Sequence, residues 1–150
     1  MSSFTRHLKT ESLPDGKTKR VLEPFRFWIN EVGIGNHILV PAGFVSDGAS
    51  IPRIVWPLVG SPWTGKYVQA AVLHDYLYHK NGWVGCNKGI LKLNREDVDN
   101  VFKRAMLVLN TPQYDINLIY MAVRGFGWNA WNKHIKYWEE KGRHPLWLLN

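Results

Sequence analysis

His74 and Asp75 stand side by side in a stretch where nearly every other position is apolar or aromatic: Tyr67, Val68, Ala70, Ala71, Val72, Leu73, Tyr76, Leu77 and Tyr78. An ionised carboxylate in such surroundings is costly unless it is paired or metal-bound, so each polar residue needs a partner. Consecutive helical side chains point about 100° apart, which sends His74 and Asp75 in different directions. Asp99 could accept a hydrogen bond from one ring nitrogen of His74 and leave the other nitrogen as a general base. Tyr78, one turn after His74 on nearly the same face, could reach the same carboxylate. Asp75 could hold a hard cation such as calcium, or pair with Arg53, Arg95 or Arg124.

The catalytic reading is a His74–Asp99 dyad that activates water, with Tyr78 beside it. Ser46, Asp47, Arg53 and Arg124 are then the binding groups, and Asp75 with Asp47 the candidate cation ligands. The same residues suit a structural role, in which a satisfied polar network locks helices and a loop in register. Residue types alone leave both readings open. Asp47-Gly48 also has plain turn chemistry, and Ser50 can cap a short helix. Cys86 lies without a patterned His or Cys partner, so neither a zinc ribbon nor a Cys–His nucleophile is supported, and no intramolecular disulfide can form.

These residues need elements to position them. The stretch Tyr67–His79, in a helical part starting near Thr64, is apolar on all sides and therefore predicts a buried helix. A second helix begins after the N-cap Asn94, with Glu96 and Asp97 complementing its dipole. Val98, Val101, Phe102, Ala105, Val108 and Leu109 form its apolar face, and Asp99 falls at the edge of that face. A third helix starts at Pro112 with Thr111 as cap and runs through Ile116, Ile119, Tyr120 and Val123. It continues, with a kink at Gly125 or Gly127, past Trp128 and Trp131 into Ile135–Trp138. Before these helices, Val21–Glu31, Ile38–Val40 and Phe44–Val45 read as two or three short strands. Thr10–Arg20 reads as a polar turn around Pro14-Asp15-Gly16, and Ser50–Pro57 as a loop with a short helix. The fold class is α+β: short N-terminal antiparallel strands followed by about three helices bundled around the His-Asp helix. The segment Arg143–Leu149 reads as an end that docks on the body.

With 150 residues and 45% hydrophobic side chains, the chain can bury a core of its own, and a single domain over residues 1–150 is expected. It carries 19 Lys plus Arg against 12 Asp plus Glu, a net charge of +7, and eight Trp. That balance suits an anionic surface or partner, but the basic residues are scattered and match no nucleic-acid reading module. No run of about 18 apolar residues is present to span a bilayer, and the N-terminus has no signal-peptide core. Synthesis in a cytoplasm is the expectation. Trp56, Trp128 and Trp131 are expected in the core, and Trp28, Trp138 and Trp147 at a partner surface.

Four blocks in order, Phe44-Val45-Ser46-Asp47-Gly48-Ala49-Ser50-Ile51-Pro52, Ala70-Ala71-Val72-Leu73-His74-Asp75-Tyr76-Leu77-Tyr78, Arg95-x-x-x-Asp99-x-x-Phe102-x-x-Ala105-Met106 and Tyr120-x-x-Val123-Arg124-x-Phe126-Gly127, resemble a phage and prophage family. That family is catalogued only as a domain of unknown function. The likeness covers about residues 44–131. It implies a phage or prophage origin and a small α+β domain, and it supplies no activity. Separately, His74-Asp75-x-x-Tyr78 resembles the active helix of phospholipases of the A-two type. There a His–Asp dyad activates water beside calcium, and the second Asp comes from an antiparallel helix. Asp99 would take that last part here. The Gly-rich calcium loop of those enzymes has no counterpart before His74, and one Cys cannot supply their disulfides. The functional classes are thus a small hydrolase acting on an ester, amide or phosphoester, or a non-enzymatic virion, tail-associated or host-interaction protein.

Overall fold

A computed structural model describes residues 2–29, 36–48, 51–86 and 89–141. Among the described residues, eight short strands and five helices follow one another as α+β, with six of the strands before the helices. Strands β1 (Ser3–Phe4), β4 (Phe25–Trp28) and β5 (His37–Val40) form one sheet in the order β1-β4-β5. Strands β2 (Thr10–Ser12), β3 (Lys19–Val21) and β6 (Val45–Ser46) form a second, in the order β2-β3-β6. All these pairings are antiparallel, with Phe25 opposite Val40 and Phe27 opposite Ile38. In β4 and β5 the buried side chains alternate with outward ones: Phe25 and Phe27 around Arg26, Ile38 and Val40 around Leu39. That is the period of a half-buried sheet.

The polar stretch Thr10–Arg20 is more than a turn. Only Leu13–Thr18 reverses the chain, where the Leu13 N–H donates to the Thr18 carbonyl at 3.0 Å, and the flanks pair as β2 and β3. The Asp15 carboxylate accepts from the Thr18 hydroxyl at 2.6 Å and from the Lys17 and Thr18 N–H groups at 2.9 Å. These bonds pull its pKa down to about 2. After β6 come a single 3-10 turn, Arg53–Val55, and the short α1, Trp56–Val59, as the two prolines in this loop lead one to expect. Gly48 has a φ of +67°, and a Cβ there would meet the Pro62 ring at 2.5 Å, so both the turn and the packing call for glycine.

Helix α2 (Val68–His79) is buried from Gln69 through Tyr78. It is the axis of the molecule, with α3 (Arg95–Val108), α5 (Trp128–Glu140) and β6 packed against it. The cap expected at Asn94 is present as a capping box: its side chain accepts from the Asp97 N–H at 2.8 Å, and Asp97 accepts from the Asn94 N–H at 3.2 Å. Between α2 and α3 the chain forms an unanticipated hairpin, β7 (Trp83–Cys86) with β8 (Gly89–Lys92).

The predicted third helix is two. It starts at Gln113, one residue later than expected, because Pro112 at φ −55° and ψ 138° is the non-helical cap, and Thr111 caps nothing. It runs as α4 (Gln113–Phe126) and breaks at Gly127 before α5. A Cβ on Gly127 would lie 2.5 Å from the Val123 carbonyl oxygen and 2.8 Å from the Tyr78 hydroxyl, so the break sits where α2 approaches the helix backbone. Of the tryptophans expected in the core, Trp131 is buried and Trp56 half-buried, but Trp128 is 51% exposed because it opens α5 on the outward side of the break. Trp28 and Trp138 are half-buried. Ser50, Trp147 and the segment Arg143–Leu149 lie outside the described residues.

Candidate functional site

Asp99 is the hub. It reaches the interior from the edge of the apolar face of α3 and is 0% exposed, as is His74. The His74 ring stacks on Phe102 with centroids 4.5 Å apart, and its Nε2 lies 2.8 Å from Asp99 Oδ1. Four residues further along α2, the Tyr78 hydroxyl donates to the same oxygen at 2.8 Å. Moving from His74 to Tyr78 on α2 thus corresponds to moving back from Phe102 to Asp99 on α3, so the two helices run antiparallel. The other carboxylate oxygen, Oδ2, accepts from Arg124 Nη1 of α4 at 2.7 Å and lies 3.5 Å from Arg95 Nη1. Arg95 also donates to the carbonyls of Val123 at 3.3 Å and of Arg124 at 3.2 Å, capping the end of α4.

The electrostatics follow from these contacts. Burial raises the Asp99 pKa, but hydrogen bonds from His74, Arg124 and Tyr78 and the attraction of His74 outweigh it, and the carboxyl is held below the usual range. Desolvation and the Asp99 charge push the Tyr78 hydroxyl up, so it stays a donor. The Arg124 guanidinium is raised by its bond to Asp99. An ionised carboxylate only accepts hydrogen bonds, so the hydrogen on His74 is assigned to Nε2. The opposite ring nitrogen, Nδ1, is buried without a hydrogen-bond partner among the described residues.

Asp75, 3% exposed, points elsewhere, as consecutive helical positions require. Its Oδ2 accepts from the Ser46 hydroxyl at 2.7 Å, which ties β6 to α2. Arg95 and Arg124, weighed as partners for Asp75, are drawn to Asp99 instead, because they sit on α3 and at the end of α4 beside it. Arg53 is exposed, lies over the Trp56 ring at 5.4 Å and stands outside the Asp99 cluster. Asp47 is exposed, and its charge is felt at His134 on α5. No three His, Cys, Asp or Glu side chains converge as a cation site among the described residues. Of the proposed cation ligands, Asp75 is held by the Ser46 hydroxyl.

The structure brings together His74, Asp99, Tyr78 and Arg124, and separately Ser46 with Asp75. The role of Arg95 in closing α4 escapes sequence reading, although its spacing of four from Asp99 was a legible signal. A second feature that sequence reading missed is a cavity of about 750 Å³, lined from Pro41–Phe44, the end of α2 and the middle of α5. Its residues are far apart in sequence and carry no shared motif. No helix among the described residues is long and apolar enough to cross a membrane.

A family described as "Protein of unknown function (DUF1353)" matches residues 19–123. The chain is 34% identical over 84 residues to the uncharacterized protein y4iH of Sinorhizobium fredii (strain NBRC 101917 / NGR234), a stretch covering 55% of this chain and 30% of that protein. It is 31% identical over 88 residues to the uncharacterized protein y4jT of the same strain, covering 59% of this chain and 23% of that one. The chain thus spans less than a third of the length of these curated relatives. No solved structure matches it.

Proposed function

We propose that this chain, which belongs to the DUF1353 family, is a small hydrolase in which His74 activates water against an ester, amide or phosphoester. The observation that carries this reading is the buried, unpartnered Nδ1 of a ring whose Nε2 is anchored on Asp99. An orphaned buried polar atom costs on the order of 1–3 kcal/mol, and such groups call for an explanation. In the mechanism, Nδ1 takes a proton from water as the oxygen attacks, and the imidazolium formed is stabilised by Asp99. The proton then passes to the leaving group. Tyr78 and Arg124 hold Asp99 in place. Ser46, which must first release Asp75, and Asp47 and Arg53 on the same loop are the groups assigned to substrate, and no step passes through a cation. Because His74 is covered, catalysis requires the cover to open before substrate enters.

The reading includes a phage or prophage origin, supported by the motif blocks around His74 and Asp99, together with synthesis in a host cytoplasm and one domain over the 150 residues. A second reading is a non-enzymatic virion-associated or host-interaction protein in which the same residues are a structural lock. It is favoured by the complete burial of His74 and Asp99 and by four donors converging on one carboxylate. His74→Gln separates the two, because a glutamine amide can still donate to Asp99 but offers no base. The hydrolase reading expects the variant to keep the wild-type melting temperature and lose at least about a hundredfold of an activity found on ester, amide and phosphoester reporters. Equal activity in wild type and variant, or none in either, favours the lock.

A further inference from the structure

The cavity lies away from the His74–Asp99 cluster, and none of His74, Asp75, Tyr78 or Asp99 lines it. Its wall is a run of touching rings. Phe44 meets Tyr76 edge-on at 5.2 Å and His79 at 5.4 Å, and His79 lies 4.3 Å from His134. Trp138 closes one side and is held in orientation, because its indole N–H donates to the His79 carbonyl at 2.9 Å. The rings come from three elements already locked together, so the cavity exists before any ligand arrives. Among the described residues two lysines line it, Lys80 and Lys133, and no carboxylate does, although the Asp47 charge is felt at His134. Lys80 is buried against Tyr76, with its ammonium 5.5 Å from the ring centroid, whereas Lys133 is exposed.

We propose that this cavity binds a small flat aromatic anion, its ring against the Phe44–His79–His134 wall and its negative group beside Lys80 and Lys133. The volume of about 750 Å³ lies within the range of small-molecule sites. Stacking on aromatic faces supplies the apolar part of the affinity. A cationic pair with no acid in the lining selects against cations and neutral rings. Carboxylates and phosphates share the required charge, and the experiment separates them.

The test is a fluorescence titration of the full chain with anilinonaphthalene sulfonate, with neutral phenylnaphthylamine as control and with naphthoate and naphthyl phosphate as competitors. The proposal expects saturable one-to-one binding of the sulfonate, weaker binding of the neutral dye, and displacement by at least one competitor, which identifies the anion class. Lys133→Glu, at an exposed position, is expected to weaken binding about tenfold, and Ala42→Trp, which fills the cavity from an exposed turn, to abolish it. Circular dichroism and melting show whether each variant is folded. Equal affinity for the neutral dye, or unchanged binding in both folded variants, would overturn the proposal.

Discussion

At the scale of single residues, Asp99 carries more than any other side chain. It accepts from His74 and Tyr78 on one oxygen and pairs with Arg124 and Arg95 on the other, itself fully buried while the two arginines keep part of their side chains in water. Burying a charge is expensive, and removing one partner of a buried pair leaves the rest uncompensated. Asp99→Ala is therefore expected to destabilise the fold by about 3–5 kcal/mol in urea unfolding. A loss below about 1 kcal/mol would show that the arginines find water instead. Tyr78→Phe removes one donor and should cost about 1 kcal/mol. The need for partners was legible from His74, Asp75 and Asp99 alone, and so was the divergence of the first two. Which arginine went where was not, because that depends on how α4 ends against α3.

At the scale of elements, what matters is how closely α2 can approach its neighbours. Gly127 lets the Tyr78 hydroxyl come within reach of Asp99 while α4 turns into α5. Gly127→Ala puts a methyl group into both the Val123 carbonyl and that hydroxyl, and is expected to cost about 1–3 kcal/mol by overpacking. Asn94→Ala, at the cap of α3, should cost about 1 kcal/mol. Thermal melts of the two variants rank them, and a Gly127→Ala protein as stable as wild type would mean that α5 swings freely. Helix α2 was readable because apolar residues on every side mean burial, and the start of α3 because Asn94 and Asp97 have capping chemistry. The hairpin β7–β8 was not, since Trp83-Val84-Gly85-Cys86 is short, glycine-broken and paired only through its partner strand.

At the scale of the whole molecule, two titrating groups give successive windows on the acid side of one pH profile. Burial, helped by the positive charges of His79 and Lys133 against the weaker pull of Asp47, lowers His134 from 6.5 to about 4. The unfolded chain then binds the extra proton between those values, so stability rises with pH across them. The His134 contribution is fully present above pH 6.5 and is lost as pH falls towards 4. Because His134 is only partly buried, about 1–2 kcal/mol is expected. Asp99 acts below that window: its lowered pKa contributes stability that is present above the ordinary carboxyl value of 3.8 and lost as pH falls further. Urea midpoints taken across the acid range check both. His134→Phe should flatten the upper part of the curve, and an unchanged slope there would assign the titration to another group.

Local composition was enough to determine the α+β class, the buried helix, the cap of α3 and the turn at Pro14-Asp15-Gly16, and to make Asp99 a candidate partner for His74. Each of these depends on periodicity or on the chemistry of a few adjacent residues. Only the tertiary structure decided that Arg124 and Arg95 serve Asp99 while Ser46 serves Asp75, that Trp128 faces out, and that Phe44, His79, His134 and Trp138 line an open cavity. Those outcomes depend on the approach of segments distant in sequence, and no local pattern encodes the distance between two helices.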